Sequence, residues 1–280
     1  MTAEHAATMA DHVAQFLRTA LRIDGEVSTA IILGTGWGDA LRLVNARSVP
    51  MADLPWFGHL GSLSGHHRVV EVGELDGEQV ILLRGRVHLN EHPTDPSFPQ
   101  MVRLQTEMLC KLGIRNLIVT AGVGGLGPTV HVGDIVIVDG FAVRHAPPMP
   151  LFAGEFEEAD VVLDEKLIRT AMKADSGTFA RQIGGHVMVR GPNFESRKYD
   201  KPALRGYGVK VVGMSMLPEA CVAMLYRKQV RVLAACYVTN NDTEEHSHQM
   251  NVDRATSTGD RLGEYLADVV ERITRGIYDT

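Results

Sequence analysis

Four segments of the chain bring glycine, a hydroxyl or a cation to the end of an apolar run. Gly34-Thr35-Gly36-Trp37-Gly38 offers free backbone N–H groups and the Thr35 hydroxyl. Gly85-Arg86-Val87-His88 delivers a guanidinium and an imidazole two residues apart. Thr120-Ala121-Gly122-Val123-Gly124-Gly125-Leu126 is a second glycine-rich run in which backbone donors could converge. Gly213-Met214-Ser215-Met216-Leu217-Pro218-Glu219 places Ser215 just before an expected helix start. A phosphate asks for such a set: a positive fork, one or two hydroxyls and several N–H groups. Each segment alone is a weak signal: the first reads more readily as a tight turn, Ser215 as a helix-start hydroxyl, and Arg86 and His88 as well as a solvated strand edge. Their coincidence at strand ends, where α/β sheets bind ligands, favours an anion site.

The elements that must position these groups follow from periodicity. Residues 11–22 place Val13, Phe16, Leu17 and Leu21 on one helical face. Thr29–Leu33 is a buried-strand pattern running straight into the first glycine loop. Val69–Val72 and Gln79–Leu83 read as strands joined at Asp76-Gly77, a hairpin turn pair. Residues 99–112 carry Met101, Leu104, Met108 and Leu112 at helical spacing, closed by Gly113. Asn116–Thr120 and Asp134–Val138 are expected strands. Asp164 can cap a helix bearing Leu167, Ile168, Ala171 and Met172. Val209–Met214 reads as a strand, Pro218 opens a helix to about Lys228, and Val230–Thr239 follows as a strand. A last amphipathic helix from Leu262 stops at Gly276. This alternation argues for one α/β domain over residues 1–280, with a central mixed β-sheet flanked by helices.

Composition narrows the function. The 280 residues are 45% hydrophobic and carry a net charge of −6, which gives no electrostatic case for nucleic acid or anionic lipid. The longest strong apolar run, Val232–Val238, is far shorter than a membrane span. Three scattered cysteines (Cys110, Cys221, Cys236) in apolar stretches suit a reducing compartment, so a cytoplasmic protein is expected. The Glu244-Glu245-His246-Ser247-His248 run fits no metal-ligand spacing, so no metal is expected and a solvated loop is.

Read in order, GTGWG, SGHH, GRVHLNEH, VTAGVGGL, VGD, AGEF, GPNFES, VGMSMLPE and VTNND resemble the trimeric purine nucleoside phosphorylase family, which includes the methylthioadenosine and methylthioinosine phosphorylases. The resemblance spans residues 28 to 270. It implies phosphate held by Thr35, His66, Arg86, His88 and Ser215, with a backbone N–H near Gly122. It implies a purine site at Phe194, Glu195, Asn240 and Asp242, in which Glu195 accepts the N1–H of a 6-oxopurine and Asn240 bonds N7 and O6. Ribose contacts are implied at Met214, Asn90 and Val252, and at Phe156, which in the family reaches the neighbouring subunit's site. Asn240, Glu195 and His88 are then the catalytic set, inorganic phosphate is a co-substrate, no cofactor enters, and the assembly is a homotrimer, with pairing into a hexamer left open.

Several positions depart from the family pattern. Asn90 replaces a common Tyr, Ala121 a common Asn, and His67-Arg68 a small Ala-Gly. Where a His for the ribose 5′-OH is expected, the chain reads Met250-Asn251-Val252-Asp253-Arg254, which resembles the methylthioadenosine branch. A 6-oxopurine nucleoside with an apolar 5′ group, such as 5′-methylthioinosine, fits this hybrid. A 5′-methylthioadenosine phosphorylase is the alternative within the family, and a non-catalytic nucleoside-binding relative the alternative outside enzymes. Gly34–Gly38 lacks the third glycine of a dinucleotide fingerprint, and Ser215 lacks the second glycine of a nucleophile elbow.

Overall fold

Strand β1 (Thr29–Leu33) is buried at every residue and alternates its side chains between two cores. Ala30 and Ile32 enter one core, with Met9, Val13 and Leu17 of helix α1 (Ala3–Ala20) and Met101, Leu104 and Met108 of α2 (Ser97–Lys111). Ile31 and Leu33 enter the other, with Leu167 and Ala171 of α3 (Glu165–Lys173) and Leu262, Leu266 and Val269 of α7 (Gly259–Thr274). The period-2 strand thus faces period-3.6 stripes on both sides, and each fully buried aliphatic side chain stabilises by about 1.5–3 kcal/mol. The computed structural model describes residues 2–58, 60–61, 66–91, 95, 97–144, 149–151, 154–155, 158–175, 177, 179–191, 194–242 and 244–277.

Around β1 the sheet is nine-stranded and mixed. An antiparallel run of β2 (Val44–Pro50), β3 (Val69–Leu75) and β4 (Glu78–Arg84) lies on one side, with β4 parallel to β1. On the other side β1 is parallel to β5 (Asn116–Gly125). From there β6 (Ile135–Val143), β7 (Arg181–Met188), β8 (Val211–Gly213) and β9 (Arg231–Asn240) close a ring of pairings, because β5 bonds both β8 and β9. Three more helices, α4 (Asp200–Arg205), α5 (Leu217–Met224) and α6 (His248–Ser257), complete the α/β arrangement. No helix among the described residues is long and apolar enough to cross a membrane.

Most expected elements form, with informative shifts. The Asp76-Gly77 hairpin turn has both residues at positive φ, 50° and 83°, as a two-residue turn between twisted strands requires. Helix α1 begins earlier than residue 11, because Ala6, Met9 and Ala10 continue its buried stripe and the Thr2 hydroxyl accepts the His5 N–H at 3.2 Å. Asp164 caps α3 through the Leu167 N–H at 2.9 Å. The expected strand 209–214 pairs only over Val211–Gly213, and the expected helix to Lys228 ends at Met224.

The glycine-rich run 120–126 is not a loop: β5 continues to Gly125, in parallel register with β9 as far as Gly124 opposite Asn240. Glycine is needed there for closeness, since a Cβ on Gly125 would meet Val130 Cγ1 at 2.9 Å and one on Gly124 would meet Asn240 Oδ1 at 3.1 Å.

A helical glycine makes the same point about packing. A Cβ on Gly263 in α7 would lie 1.9 Å from the Ala40 carbonyl oxygen, backbone that cannot swing aside. Glycine to alanine inside a helix ordinarily gains up to about 1 kcal/mol. Here the sign reverses, and Gly263→Ala is expected to destabilise by about 1–3 kcal/mol through overpacking. Gly259→Ala, whose Cβ would have 3.9 Å of clearance, serves as the control. Urea unfolding of the two variants checks it; equal midpoints would remove the argument.

Candidate active site

The strand ends converge on a cavity of about 470 Å³, and backbone clamps hold the glycine loop on its wall. The loop after β1 is pinned to β5: the Gly34 N–H reaches Thr120 Oγ1 at 3.1 Å, and the buried Trp37 indole N–H reaches the Ala121 carbonyl at 3.3 Å. Arg84, ending β4, donates to the Gly38 and Leu41 carbonyls at 2.6 and 2.7 Å and fixes the far side of the loop. Thr35 is thereby held on the cavity wall.

Arg86 and His88 lie beyond the end of β4, and not on an alternating strand edge as the sequence suggested. The buried Gln105 of α2 grips Val87 between them, accepting its N–H at 2.7 Å and donating to its carbonyl at 2.9 Å. Both flanking side chains then face the cavity. Arg86 is 1% exposed, donates Nη1 to Glu219 Oε1 at 2.6 Å and Nη2 to the Thr120 carbonyl. His66 accepts the Arg86 backbone N–H on Nδ1 at 3.1 Å, and its Nε2 meets His88 Nε2 at 3.2 Å. Burial, then the Arg86 and Arg68 cations, push the His66 pKa down to about 3. Burial pushes His88 well below its ordinary value too, helped by His66 and Arg86. Ser215 and Gly122 line the same cavity.

The same cavity is lined by Phe194, Glu195 and Asn240. Asn240 ends β9, 4% exposed; its Nδ2 donates to Thr239 Oγ1 at 3.2 Å and its Oδ1 lies against Gly124. Burial raises the Glu195 carboxyl above the usual range, and the nearby Lys201 cation opposes it. Met214 and Asn90 also line the wall, and both crowd Gly191, where a Cβ would meet Met214 Sδ at 2.3 Å and Asn90 Nδ2 at 2.7 Å.

Two expected site residues are not on this wall. Asp242 turns away, accepting the Gly127 N–H at 3.0 Å and pairing with Arg205 at 3.3 Å. Val252 is half-buried in α6, which presents His248 and Asn251 to the cavity instead. Phe156 lies outside the described residues; its neighbour Glu155 is held by Arg103 of α2 through two bonds of 2.6 and 2.9 Å.

The expected loop at residues 244–248 is structured by its own side chains. Ser247 caps α6 at the Met250 N–H, Glu244 pairs with Arg254, and the His246 ring stands edge-on to Phe194 at 5.0 Å while its Nδ1 meets Asn251 Nδ2 at 3.1 Å. His246, His248 and Asn251 were not picked out as site residues. Nor were the supporting Gln105, Glu219, Glu91 and Arg68. The Gln inside the apolar stripe of α2 was one visible signal, and Arg68 in place of a small residue was another.

Such a wall suits a compact anion together with a planar heterocycle that has donors and acceptors on its edge. Residues 28–275 match the family model described as the phosphorylase superfamily. The chain belongs to that superfamily. Its relatives there include purine nucleoside phosphorylase from Bos taurus, 27% identical over 269 residues, covering 89% of this chain and 88% of the relative. Purine nucleoside phosphorylase from Saccharomyces cerevisiae is 30% identical over 233 residues, covering 76% and 71%. The structure of Schistosoma mansoni purine nucleoside phosphorylase in complex with inosine superposes with a TM-score of 0.80 at 23% identity, covering 95% and 96%, a likeness of fold. The α/β fold with its central mixed sheet flanked by helices thus matches that structural neighbour.

Proposed function

We propose that the chain is a pentosyltransferase that cleaves purine nucleosides with inorganic phosphate, releasing free base and an inverted ribose 1-phosphate. What carries the reading is one cavity lined by both Arg86, His66, His88, Thr35 and Ser215 and the purine-edge pair Glu195 and Asn240. A phosphate oxygen bonds C1′ as the C1′–N9 bond breaks, and the electron pair of that bond leaves with the purine. Asn240 stabilises the departing base at N7 and Glu195 accepts its N1–H, so 6-oxopurines are preferred. Alignment and fixed dipoles supply the rate, with no protein nucleophile and no cofactor in the scheme.

For the 5′ substituent, His248 and Asn251 on the wall support a nucleoside with a 5′-hydroxyl over the methylthio substrate implied by Val252. In this reading residues 1–280 act as one domain in a cytoplasmic homotrimer, with Phe156 serving the neighbouring site.

Turnover of inosine, adenosine, 5′-methylthioinosine and 5′-methylthioadenosine, each with and without phosphate, tests it. Inosine is expected to be fastest, with strict dependence on phosphate. A preference for 5′-methylthioinosine would restore the Val252 argument, and one for 5′-methylthioadenosine would sink the role of Glu195. Base release without phosphate would make the enzyme a hydrolase. No turnover of any nucleoside would favour a binding protein.

A further inference from the structure

Two guanidinium groups stand at the anion end of the cavity, and each already has a carboxylate. Arg86 and Glu219 pair at 2.6 Å with both side chains 1% exposed. Arg68 pairs with Glu91, which also accepts the His88 backbone N–H at 2.7 Å. The imidazoles add no charge, and hydrogen-bond geometry alone requires this. His66 Nδ1 accepts an N–H and so carries no proton. A neutral imidazole keeps one proton, so His66 holds its own on Nε2 and donates it across the 3.2 Å contact to His88 Nε2. His88 is then an acceptor there and keeps its proton on Nδ1.

The groups facing the pair make the same sum. His66 faces Arg86, Arg68, His67 and His248, and His88 faces His66, Arg86 and Arg68. His67 leans outward on Asp39 at 3.3 Å. Two buried cations, two carboxylates and two neutral rings leave the cradle with no net charge. The hydrogen phosphate dianion would bring two negative charges into it, where desolvation is costly unless charge is matched. Glu219 is the group that creates the mismatch, because it occupies the charge of Arg86, the guanidinium that lines the wall among the described residues. Its second oxygen, Oε2, is buried with no hydrogen-bond partner among the described residues.

We infer that this cradle takes up a proton with phosphate, so that the complex holds one proton more than the free protein and the free dianion. The added proton resides on phosphate oxygen or on the His66–His88 pair, whose shared hydrogen bond opens to receive the ligand. Glu219 thereby makes the site selective for phosphate in its monoanionic total charge. The inference rests on the assignment of this cavity end to phosphate.

Calorimetric titration of the whole protein with inorganic phosphate at pH 8, in buffers of different ionisation enthalpy, counts the protons. About one proton taken up per phosphate is expected, and an affinity that weakens about tenfold per pH unit above the second ionisation of phosphate. Glu219→Gln, with Arg86 unmatched, is expected to bring the uptake toward zero and to flatten that pH dependence. Binding of phosphate to the unaltered protein at pH 8 with no proton uptake would overturn the inference whatever the variant does. A failure to bind phosphate at all would overturn the site assignment first, and the inference with it.

Discussion

Arg86→Ala is expected to lower kcat/KM for phosphate by about 10³-fold or more. A single preorganised donor to a developing oxyanion contributes about 10²–10³-fold in comparable sites, and a charged, desolvated fork contributes more than a neutral donor. Among the described residues Arg86 is the one guanidinium on the cavity wall, 1% exposed, with Nη2 tied to the Thr120 carbonyl beside the first glycine loop. The same substitution strands Glu219 as a buried unpaired carboxylate, at a cost of about 3–5 kcal/mol. Loss of activity and loss of fold must therefore be read separately. Arg86→Lys keeps a cation for Glu219 but not the fork, so it is expected to regain much of the stability and little of the activity. The double variant Arg86→Met with Glu219→Leu removes the stranded charge and should fold yet remain inactive. Steady-state kinetics alongside denaturant unfolding check all three, and a folded Arg86→Ala protein with unchanged phosphate-dependent turnover would refute the assignment.

What could be read from sequence divides along a physical line. β1, the Asp76-Gly77 hairpin and α2 were legible because local pattern and tertiary role agree: a continuous apolar run, a turn that demands positive φ, a stripe of period 3.6. That Thr35, His66, Arg86, His88 and Ser215 share one cavity wall was legible because such residue types are unusual at strand ends. Elements without a stripe were not. β2 is an edge strand exposed at nearly every residue, and β7 carries Gly184-Gly185, where a Cβ would run into Lys210 and Val209. Helix α6 buries only Asn251 and Ala255, so no periodicity announces it, and with it went His248. The supporting charges were invisible for another reason. Glu219 lies 133 residues from Arg86, and only the folded strand order brings them together. Arg68 sits at φ 56° where small residues are usual in the resembling family; what looked like a departure from pattern is a buried ion pair holding the turn at His88.

The site's selectivity has a comparable test in Glu195. Glu195→Leu is expected to lower kcat/KM for inosine by about 10²–10³-fold, because the N1–H of the 6-oxopurine is then buried without an acceptor. Adenosine has no hydrogen at N1 and loses only a repulsive carboxylate, so its turnover should hold or rise and the ratio between the two should collapse. Glu195→Gln separates charge from hydrogen bonding: its carbonyl oxygen still accepts, and a loss nearer tenfold is expected. The carboxyl's environment adds a pH signature. Burial raises its pKa and the Lys201 cation works against that, burial being the larger effect. Acidification therefore protonates Glu195 at a higher pH than an exposed carboxyl, converting an acceptor for hypoxanthine N1–H into a donor toward bare adenine N1. The ratio of inosine to adenosine turnover should fall as pH is lowered in the unaltered enzyme, and stay flat in Glu195→Gln. A ratio that moves equally with pH in both proteins would show that some other group reads the base.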